Sequence, residues 1–279
     1  MNNFIKDHLN LITKYNIPNP ELELRTLLNN CLLKNEIVFL NNFNINKINI
    51  QKFKSAFQRR LNHEPLSKIF NKKEFWSLNF YVNQCVLDPR PESEFLIETI
   101  QKFFTNLHSK IKICDLGTGS GCLAITLAKI YKKSNILATD ISKRALAVAK
   151  KNAIKHNVSN QIQFSNDNWI SNNTKFDLVV SNPPYLSFNQ YNNCERNVKE
   201  FEPKIALVGG YDGLESYRQI AKIANSLIHN NSFIFLEIGK SQTANVKKIF
   251  INQNIKLLKI SKDYQRINRV LVFKKVNKN

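Results

Sequence analysis

The residues best suited to chemistry form one five-residue segment, Ser181-Asn182-Pro183-Pro184-Tyr185. An apolar run of the kind that a buried parallel strand produces precedes it, from Phe176 to Val180. Two consecutive prolines cannot continue a sheet ladder, and a proline biases the residue before it towards an extended backbone. We therefore expect the chain to stop, extended and rigid, at the carboxyl end of a strand, where open α/β sheets bind their ligands.

This segment would bring together the side-chain amide of Asn182, the backbone carbonyl of Pro183 and the ring of Tyr185. Such a set suits a planar NH2 group, because two acceptors take its two hydrogens while an aromatic face covers its flat side. A proline turn that merely ends a strand is the alternative interpretation. The rest of the chain has to decide between the two.

A second candidate site is a glycine-rich loop in a chain that otherwise avoids glycine. There are seven glycines, none before residue 117, and three fall within five positions, in Gly117-Thr118-Gly119-Ser120-Gly121. A strand pattern precedes the loop at 111–116 and a helix pattern follows it at 123–130. Backbone N–H groups at such a junction can approach a ligand closely.

Asp140 closes the next predicted strand, 135–139, roughly twenty residues beyond the loop, where a carboxylate binds ribose hydroxyls. The loop lacks the third-glycine spacing of pyrophosphate-binding loops, so a nucleoside without phosphates, S-adenosylmethionine, is the favoured ligand. Trp169, after the third strand, could flank an adenine ring. The alternatives are that Asp140 caps the following helix and that Trp169 anchors its loop in the core.

The elements that must position these residues alternate between strand and helix from residue 111 onward. The patterns predict further helices at 145–155, 213–228 and 243–250 and further strands at 161–165, 233–238, 255–260 and 270–273. This alternation predicts an α/β fold with a largely parallel, Rossmann-like sheet covered on both faces.

Two segments precede the sheet domain, which we place at residues 89–279. Residues 1–66 have apolar side chains at helical spacing, such as Phe53, Phe57 and Leu61, and predict a small helical domain. Residues 67–88 contain the aromatic run from Glu74 to Val82 and predict a β-hairpin that links the two domains.

The composition narrows the class of protein. The chain has 279 residues, with 41 basic and 21 acidic side chains and a net charge of +20, which invites a nucleic-acid interpretation. The basic residues come singly or in scattered pairs, however, so we favour a solvated basic surface and expect no stable nucleic-acid complex.

Five cysteines without C-x-x-C spacing or a histidine partner indicate reduced thiols, no metal site and a cytoplasmic protein. We expect no membrane segment, and a monomer.

These motifs together resemble the class I methyltransferases, and further segments narrow the resemblance to the bacterial release factor glutamine methyltransferases. The narrower resemblance starts near residue 59 and rests, beside the two motifs above, on Arg59-Arg60, Glu64-Pro65-Leu66, Glu74-Phe75-Trp76-Ser77, Pro89-Arg90-Pro91-Glu92-Ser93-Glu94, Phe201-Glu202-Pro203 and Gly209-Gly210-Tyr211-Asp212-Gly213-Leu214. The family usually has glycine where His63 and Asn71 stand here. Asparagine tolerates a positive φ, so the histidine is the larger departure.

The resemblance implies that Gly117 to Gly121, Asp140, Trp169 and Asn182 surround S-adenosylmethionine. It implies that Asn182, Pro183, Pro184 and Tyr185 hold the side-chain amide of a glutamine in peptide chain release factors, with residues 1–66 selecting that protein. Two alternatives stay open. One is methylation of the exocyclic amine of adenine in nucleic acid, which is also a planar NH2 group, and the other is a cofactor-binding module without activity.

Overall fold

The computed structural model describes residues 3–34, 39–167 and 174–275, and the chain divides into two compact units. One unit comprises Met1–Lys72 and Arg196–Phe201, and the other comprises Lys73–Glu195 and Glu202–Asn279. Within the described ranges, the α-helices are α1 (Asn3–Lys14), α2 (Pro20–Asn29), α3 (Ile50–Leu61), α4 (Leu66–Ile69), α5 (Glu94–Phe103), α6 (Cys122–Ile130), α7 (Lys143–Lys155), α8 (Phe188–Asn192), α9 (Arg196–Phe201), α10 (Glu215–Leu227) and α11 (Thr243–Ile251).

The strands belong to the second unit. They are β1 (Lys73–Phe75), β2 (Leu78–Phe80), β3 (Lys112–Leu116), β4 (Asn135–Thr139), β5 (Ile162–Ser165), β6 (Phe176–Ser181), β7 (Ile228–Glu237), β8 (Ile255–Lys262) and β9 (Asn268–Lys275). None of the helices among the described residues has the length and apolar character needed to cross a membrane.

The first unit buries one apolar face of each of its longer helices. Phe53, Phe57 and Leu61 of α3 are all buried, as their four-residue spacing predicts. Helix α2 likewise buries Leu24, Leu27 and Leu28. The Arg59-Arg60 motif is structural here, because the Arg59 guanidinium donates two hydrogen bonds to the Glu64 carboxylate and Arg60 donates one to Glu23.

The aromatic run that predicted a hairpin holds both of its strands. β1 and β2 pair antiparallel, with Phe75 opposite Leu78. Trp76 and Ser77 form the turn with φ values of 50° and 56°. Two consecutive positive φ angles match the twist of a two-residue hairpin, although the usual asparagine and glycine are missing. The domain limits at 66 and 88 stay predictions.

The sheet has the order β5-β4-β3-β6-β7-β9-β8 among the described strands. β3 to β7 are parallel to one another, and β9 is antiparallel to both β7 and β8. The predicted α/β fold with a largely parallel sheet is therefore confirmed, and the antiparallel edge is a feature that the pattern did not predict. The chain runs outward from β3 to β5 and then returns to β6, so the strand order reverses between β3 and β6, where ligands bind in such sheets.

Alternate side chains of the inner strands point to opposite faces of the sheet, and helices pack against both faces to form two apolar cores. Ile113 of β3 and Leu178 of β6 join the core with α5, α6 and α7, while Cys114 and Val179 join the core with α10 and α11. This packing fixes which side chains of β3 and β6 face each core. Because the two strands are parallel neighbours, the glycine loop after β3 and the Asn182 segment after β6 lie side by side.

Candidate active site

A cavity of about 340 Å³ lies at the carboxyl ends of β3, β4, β5 and β6. Its size falls within the usual range for small-molecule sites. It is lined by Cys85, Val86, Leu87, Asp88, Pro89, Arg90, Ser93, Gly117, Thr118, Gly119, Ser120, Cys122, Leu123, Thr139, Asp140, Ile141, Ser142, Ala145, Asp167, Asn182, Pro184, Ile205, Ala206, Val208, Gly209, Gly210, Glu215, Ser216 and Gln219. The structure thus brings the glycine loop, Asp140 and Asn182 together at one cavity.

The glycine loop exposes its backbone to this cavity. Gly117 and Gly119 have φ values of 75° and 55°, a region that other residues adopt only with strain. A methyl group on either would meet no atom within 4 Å, so the space that these two residues face is open. A ligand can therefore approach the backbone closely here.

Gly121 has a different role, because it does not line the cavity. A methyl group there would lie 2.9 Å from Cδ1 of Ile125 and 3.2 Å from Cβ of Ala149, and its φ is 82°. The buried Asn152 of α7 supports the loop from behind by donating to Ser120 O and Tyr81 O, while its Oδ1 accepts from Tyr81 N. Gly121 thus allows α6 and α7 to pack closely, and its predicted contact with the cofactor stays a prediction.

Asp140 connects its strand to the glycine loop. Its Oδ2 accepts a 2.9 Å hydrogen bond from Gly119 N, and its Oδ1 accepts a 2.8 Å bond from Ser142 N. The cap of helix α7 is Ser142, whose hydroxyl accepts from Ala145 N, so the capping alternative for Asp140 is wrong. Burial raises the pKa of Asp140, although the two backbone donors act against it. Asp140 also lines the cavity.

Asn182 follows β6 and lines the same cavity. Its Nδ2 donates a 2.8 Å hydrogen bond to Oγ of Ser93, and the Ser93 hydroxyl donates a 2.6 Å bond to Oε2 of Glu237. Ser93 and Glu237 are almost completely buried, at 2% and 1% exposed. Oδ1 of Asn182 accepts no hydrogen bond from a described residue, so an acceptor is left for a ligand.

The prolines and the tyrosine after Asn182 are placed differently from one another. Pro184 lines the cavity, whereas Pro183 is buried and neither it nor Tyr185 is among the lining residues. The Tyr185 ring lies against Gly239, where an added methyl group would lie 3.0 Å from its Cδ2. Burial raises the pKa of Tyr185 to about 12, so the phenol stays neutral. The contacts predicted for Pro183 and Tyr185 with a substrate stay predictions.

Two further motifs meet at the rim of the cavity. Oε1 of Glu202 accepts a 2.7 Å bond from the Arg90 guanidinium, and Oε2 accepts a 3.3 Å bond from Asp88 N. The Glu202 side chain is 3% exposed and that of Arg90 is 36% exposed, so the carboxylate is buried and the guanidinium reaches solvent. The ion pair holds the segment before Ser93 in place. It joins Arg90 of the Pro89–Glu94 motif to Glu202 of the Phe201–Pro203 motif, 112 positions later in the chain.

Cys122, which lines the cavity, and the buried Asp115 both have raised pKa values. Burial raises the pKa of Cys122 to about 12, so its thiol stays protonated at neutral pH. Burial also raises the pKa of Asp115, below the loop, to about 7. Among the described residues, no group of three or more His, Cys, Asp or Glu side chains could hold a metal ion.

The cavity residues fit S-adenosylmethionine, the methyl donor that a class I methyltransferase fold implies. Gly117 and Gly119 leave room for a close approach, the Asp140 carboxylate suits ribose hydroxyls, and Leu123 and Ala145 add apolar lining. Asp167, which the sequence reasoning did not single out, also lines the cavity. Trp169 lies outside the described residues, so its predicted place beside adenine stays a prediction.

Comparison with known proteins identifies the family. The family model described as "methyltransferase small domain" matches residues 87–200. The chain is 40% identical to a "bifunctional methyltransferase" of Rickettsia typhi over 96% of its own length and 56% of the relative, so it spans about half of that protein. It is 36% identical to a "release factor glutamine methyltransferase" of Buchnera aphidicola subsp. Schizaphis graminum, over 90% of this chain and 91% of the relative.

The solved structures agree on the fold. A methyltransferase from Pyrococcus furiosus superposes with a TM-score of 0.53 at 18% identity, covering 79% of this chain and 98% of the other. At that identity the likeness shows the shared architecture only. The identity and coverage of the Buchnera relative, with both motifs assembled at one cavity, show that the chain belongs to the release factor glutamine methyltransferase family.

Proposed function

We propose that this chain transfers a methyl group from S-adenosylmethionine to the side-chain amide nitrogen of a glutamine in peptide chain release factors. The observation that carries the proposal is the side-chain amide of Asn182, which is anchored through Nδ2 and leaves Oδ1 at a cavity shared with the glycine loop. Relatives named release factor glutamine methyltransferase, at 33–36% identity over most of both chains, support it.

An amide nitrogen is a weak nucleophile because its lone pair is delocalised into the carbonyl group. The bound cofactor supplies a methyl group on a positively charged sulfur, so transfer forms an N–C bond, breaks the C–S bond and releases one amide proton. The chain's own residues then have to orient the nitrogen and stabilise the positive charge that develops on it.

Asn182 fits this orienting role. Its Oδ1 would accept one hydrogen of the substrate NH2 group, and the Pro183 carbonyl would accept the other. The ring of Tyr185 would cover the amide plane. Hydrogen bonds of this kind strengthen as the nitrogen becomes positive, so they favour the transition state over the bound substrate.

The cofactor would be held by the loop from Gly117 to Ser120 and by Asp140. The backbone of Gly117 and Gly119 faces open space, and Asp140 already fixes the loop by accepting from Gly119 N. The carboxylate lone pairs that remain would accept from ribose hydroxyls. Trp169 would flank the adenine, as the family resemblance implies.

Recognition of the whole release factor is assigned to residues 1–66, because one glutamine side chain offers too little surface for specificity. The substrate takes part in translation, so we place the enzyme in the cytoplasm, and we propose that it acts as a monomer.

The experiment incubates the purified chain with S-adenosylmethionine carrying a labelled methyl group and either a release factor or adenine-containing DNA. The proposal predicts label on a release factor glutamine and little on DNA. Label on DNA alone would favour the adenine alternative. Cofactor binding without transfer to either would favour the non-catalytic module.

A further inference from the structure

We infer that Ser93 and Glu237 are positioning residues that fix which end of the Asn182 side-chain amide faces the substrate. The inference deepens the proposed function and rests on its claim that Oδ1 of Asn182 accepts the substrate NH2 group. Ser93 lines the cavity and Glu237 does not, and neither is proposed to contact the reacting atoms. They act through Asn182.

The fold brings the three residues together from distant parts of the chain. β6 and β7 are neighbours, with Ser181 opposite Leu236, so Asn182, which follows β6, comes next to Glu237, the last residue of β7. Ser93 ends the 3₁₀ turn Pro91–Ser93, which precedes α5. It is 89 positions from Asn182 and 144 from Glu237.

The direction of each hydrogen bond follows from the donors available. Above about pH 7 the Glu237 carboxyl is ionised and only accepts, and a serine hydroxyl has a single hydrogen. The Ser93 hydrogen is used in the 2.6 Å bond to Glu237, so the serine oxygen has only lone pairs left for Asn182. A group that donates must therefore face it, and on an asparagine side chain that group is Nδ2.

This arrangement excludes the flipped amide. In the flipped orientation Oδ1 would face the lone pairs of Ser93, and Nδ2 would point into the cavity. There it would present hydrogens to the hydrogens of a substrate NH2 group, and no bond would form. Glu237 thus fixes the direction in which the Ser93 hydroxyl donates, and the Ser93 oxygen fixes which end of the Asn182 amide faces it.

The surroundings keep the serine in place. Arg90, three residues earlier, is paired with the buried Glu202. Ser93 itself is 2% exposed, so water does not compete strongly for its hydroxyl. The segment from Pro89 to Glu94 therefore has a physical role in the site, although none of its side chains was predicted to touch cofactor or substrate.

The kinetic test uses the full chain, a release factor and S-adenosylmethionine at pH 8, where the Glu237 carboxyl is ionised. Ser93→Ala should lower kcat by roughly 10- to 100-fold, the scale of a small misplacement of a reacting group, with the cofactor Kd unchanged within about twofold. Ser93→Thr keeps the hydroxyl and should retain most of the activity. Glu237→Gln should also lower kcat, because a glutamine amide can donate to Ser93 and release the serine hydrogen towards Asn182.

A double variant distinguishes a shared positioning role of Ser93 and Glu237 from two independent structural effects on kcat. If both residues act through one contact, the double variant Ser93→Ala with Glu237→Gln should be no slower than Ser93→Ala. Multiplying losses, or a Ser93→Ala variant with normal kcat, would overturn the inference while leaving the proposed function intact.

A second measurement needs no substrate. In the free protein with ¹⁵N-labelled asparagine, the side-chain NH2 signal of Asn182 is identified by its loss in Asn182→Ala. Its hydrogen exchange should be slow in the wild type and at least about tenfold faster in Ser93→Ala. Equal exchange in the two proteins would overturn the inference, even if the release factor proved not to be the substrate.

Discussion

The side-chain amide of Gln242 donates a 2.9 Å hydrogen bond to the backbone carbonyl of Tyr185, 57 residues earlier in the chain. The same Nε2 donates a 3.2 Å bond to Gly213 O, and Oε1 accepts from Gly239 N and, at 3.4 Å, from the Tyr217 hydroxyl. One side chain therefore joins the end of the Asn182 segment to three other segments. Gly209 and Gly213 pack so closely on the carbonyls of Pro184 and Tyr185 that a side chain would not fit.

Gln242→Leu should lower kcat by about tenfold or more and leave the cofactor Kd unchanged, because it loosens the segment that follows Asn182. It should also lower the free energy of unfolding by roughly 1–3 kcal/mol, since several buried polar groups lose their partner. Steady-state kinetics and urea unfolding measure the two effects. The control is Gln163→Leu on β5, whose side chain is exposed. Equal kinetics for the two variants would remove Gln242 from the account.

Asp140→Ala should weaken S-adenosylmethionine binding by about 1.5–3 kcal/mol, the scale of a hydrogen bond to a charged group. Part of the loss comes from Gly119, whose N–H loses its acceptor. Isothermal titration calorimetry measures the affinity. Asp177→Ala is the matched control, because Asp177 lies near the amino end of β6 and accepts from Lys112 N. An unchanged affinity in folded Asp140→Ala would contradict the assignment.

Glu237 should make the stability of the fold depend on pH. Burial raises the pKa of Glu237 to about 7, against the opposing effects of the Ser93 hydrogen bond and the Arg269 and Arg90 charges, while the Glu92 charge adds to the rise. The folded state therefore favours the protonated carboxyl. This contribution to the free energy of unfolding is fully present below about pH 4.5, the ordinary value, and is lost as pH rises through about 7.

Glu237→Gln cannot titrate, so its free energy of unfolding should fall less than that of the wild type between pH 5 and pH 8. Urea unfolding at four pH values measures this. Cys122, Tyr185 and Tyr217, the other titratable groups that interact with Glu237, have pKa values raised to about 12 or well above 10 and stay neutral in this range. Asp115, with a pKa of about 7, gives a residual slope in both proteins. Identical slopes would contradict the prediction.

The proposed recognition role of residues 1–66 predicts a selective defect. Leu33 and Phe39 are 63% and 66% exposed, and replacing both by serine should lower kcat/KM for a whole release factor by at least about tenfold, because burying even one such side chain is worth about 1.5–3 kcal/mol. A short glutamine-containing peptide should be methylated at the wild-type rate. Ile154→Ser on α7, equally exposed at 69%, is the control. Equal losses on factor and peptide would contradict the role.

Local patterns were enough to predict the parallel part of the sheet and to place the glycine loop, Asp140 and Asn182 at its carboxyl edge. The strand and helix periods, the glycine loop and the double proline are each read within a few residues, and parallel strands bring their carboxyl ends to one edge. The turn at Trp76 and Ser77 carried no such signal, since neither residue favours a positive φ. The antiparallel β8 and β9 at the sheet edge depend on pairing that no local pattern specifies.

The contacts that hold the site were not predictable in the same way. Ser93, Gln242 and Asn152 each reach a partner between 57 and 144 positions away, so their roles depend on register and packing rather than on local spacing. At His63 and Asn71, where the family usually has glycine, the backbone shape is kept although the residue type differs. Both keep the positive φ that glycine would adopt, at 65° and 51°, so the backbone shape survives the substitution. Asparagine takes this conformation at lower cost than histidine.

The central claim is that Asn182 orients a release factor glutamine for methyl transfer, and one comparison tests it most directly. Wild type, Asn182→Ala and the exposed control Asn160→Ala are incubated with a release factor and S-adenosylmethionine, and mass spectrometry measures methylation of each glutamine. The account predicts one methylated glutamine, a loss of about 100-fold or more in kcat for Asn182→Ala alone, and similar cofactor affinity in all three proteins. Near-normal methylation by Asn182→Ala, or no methylated glutamine with the wild type, would contradict it.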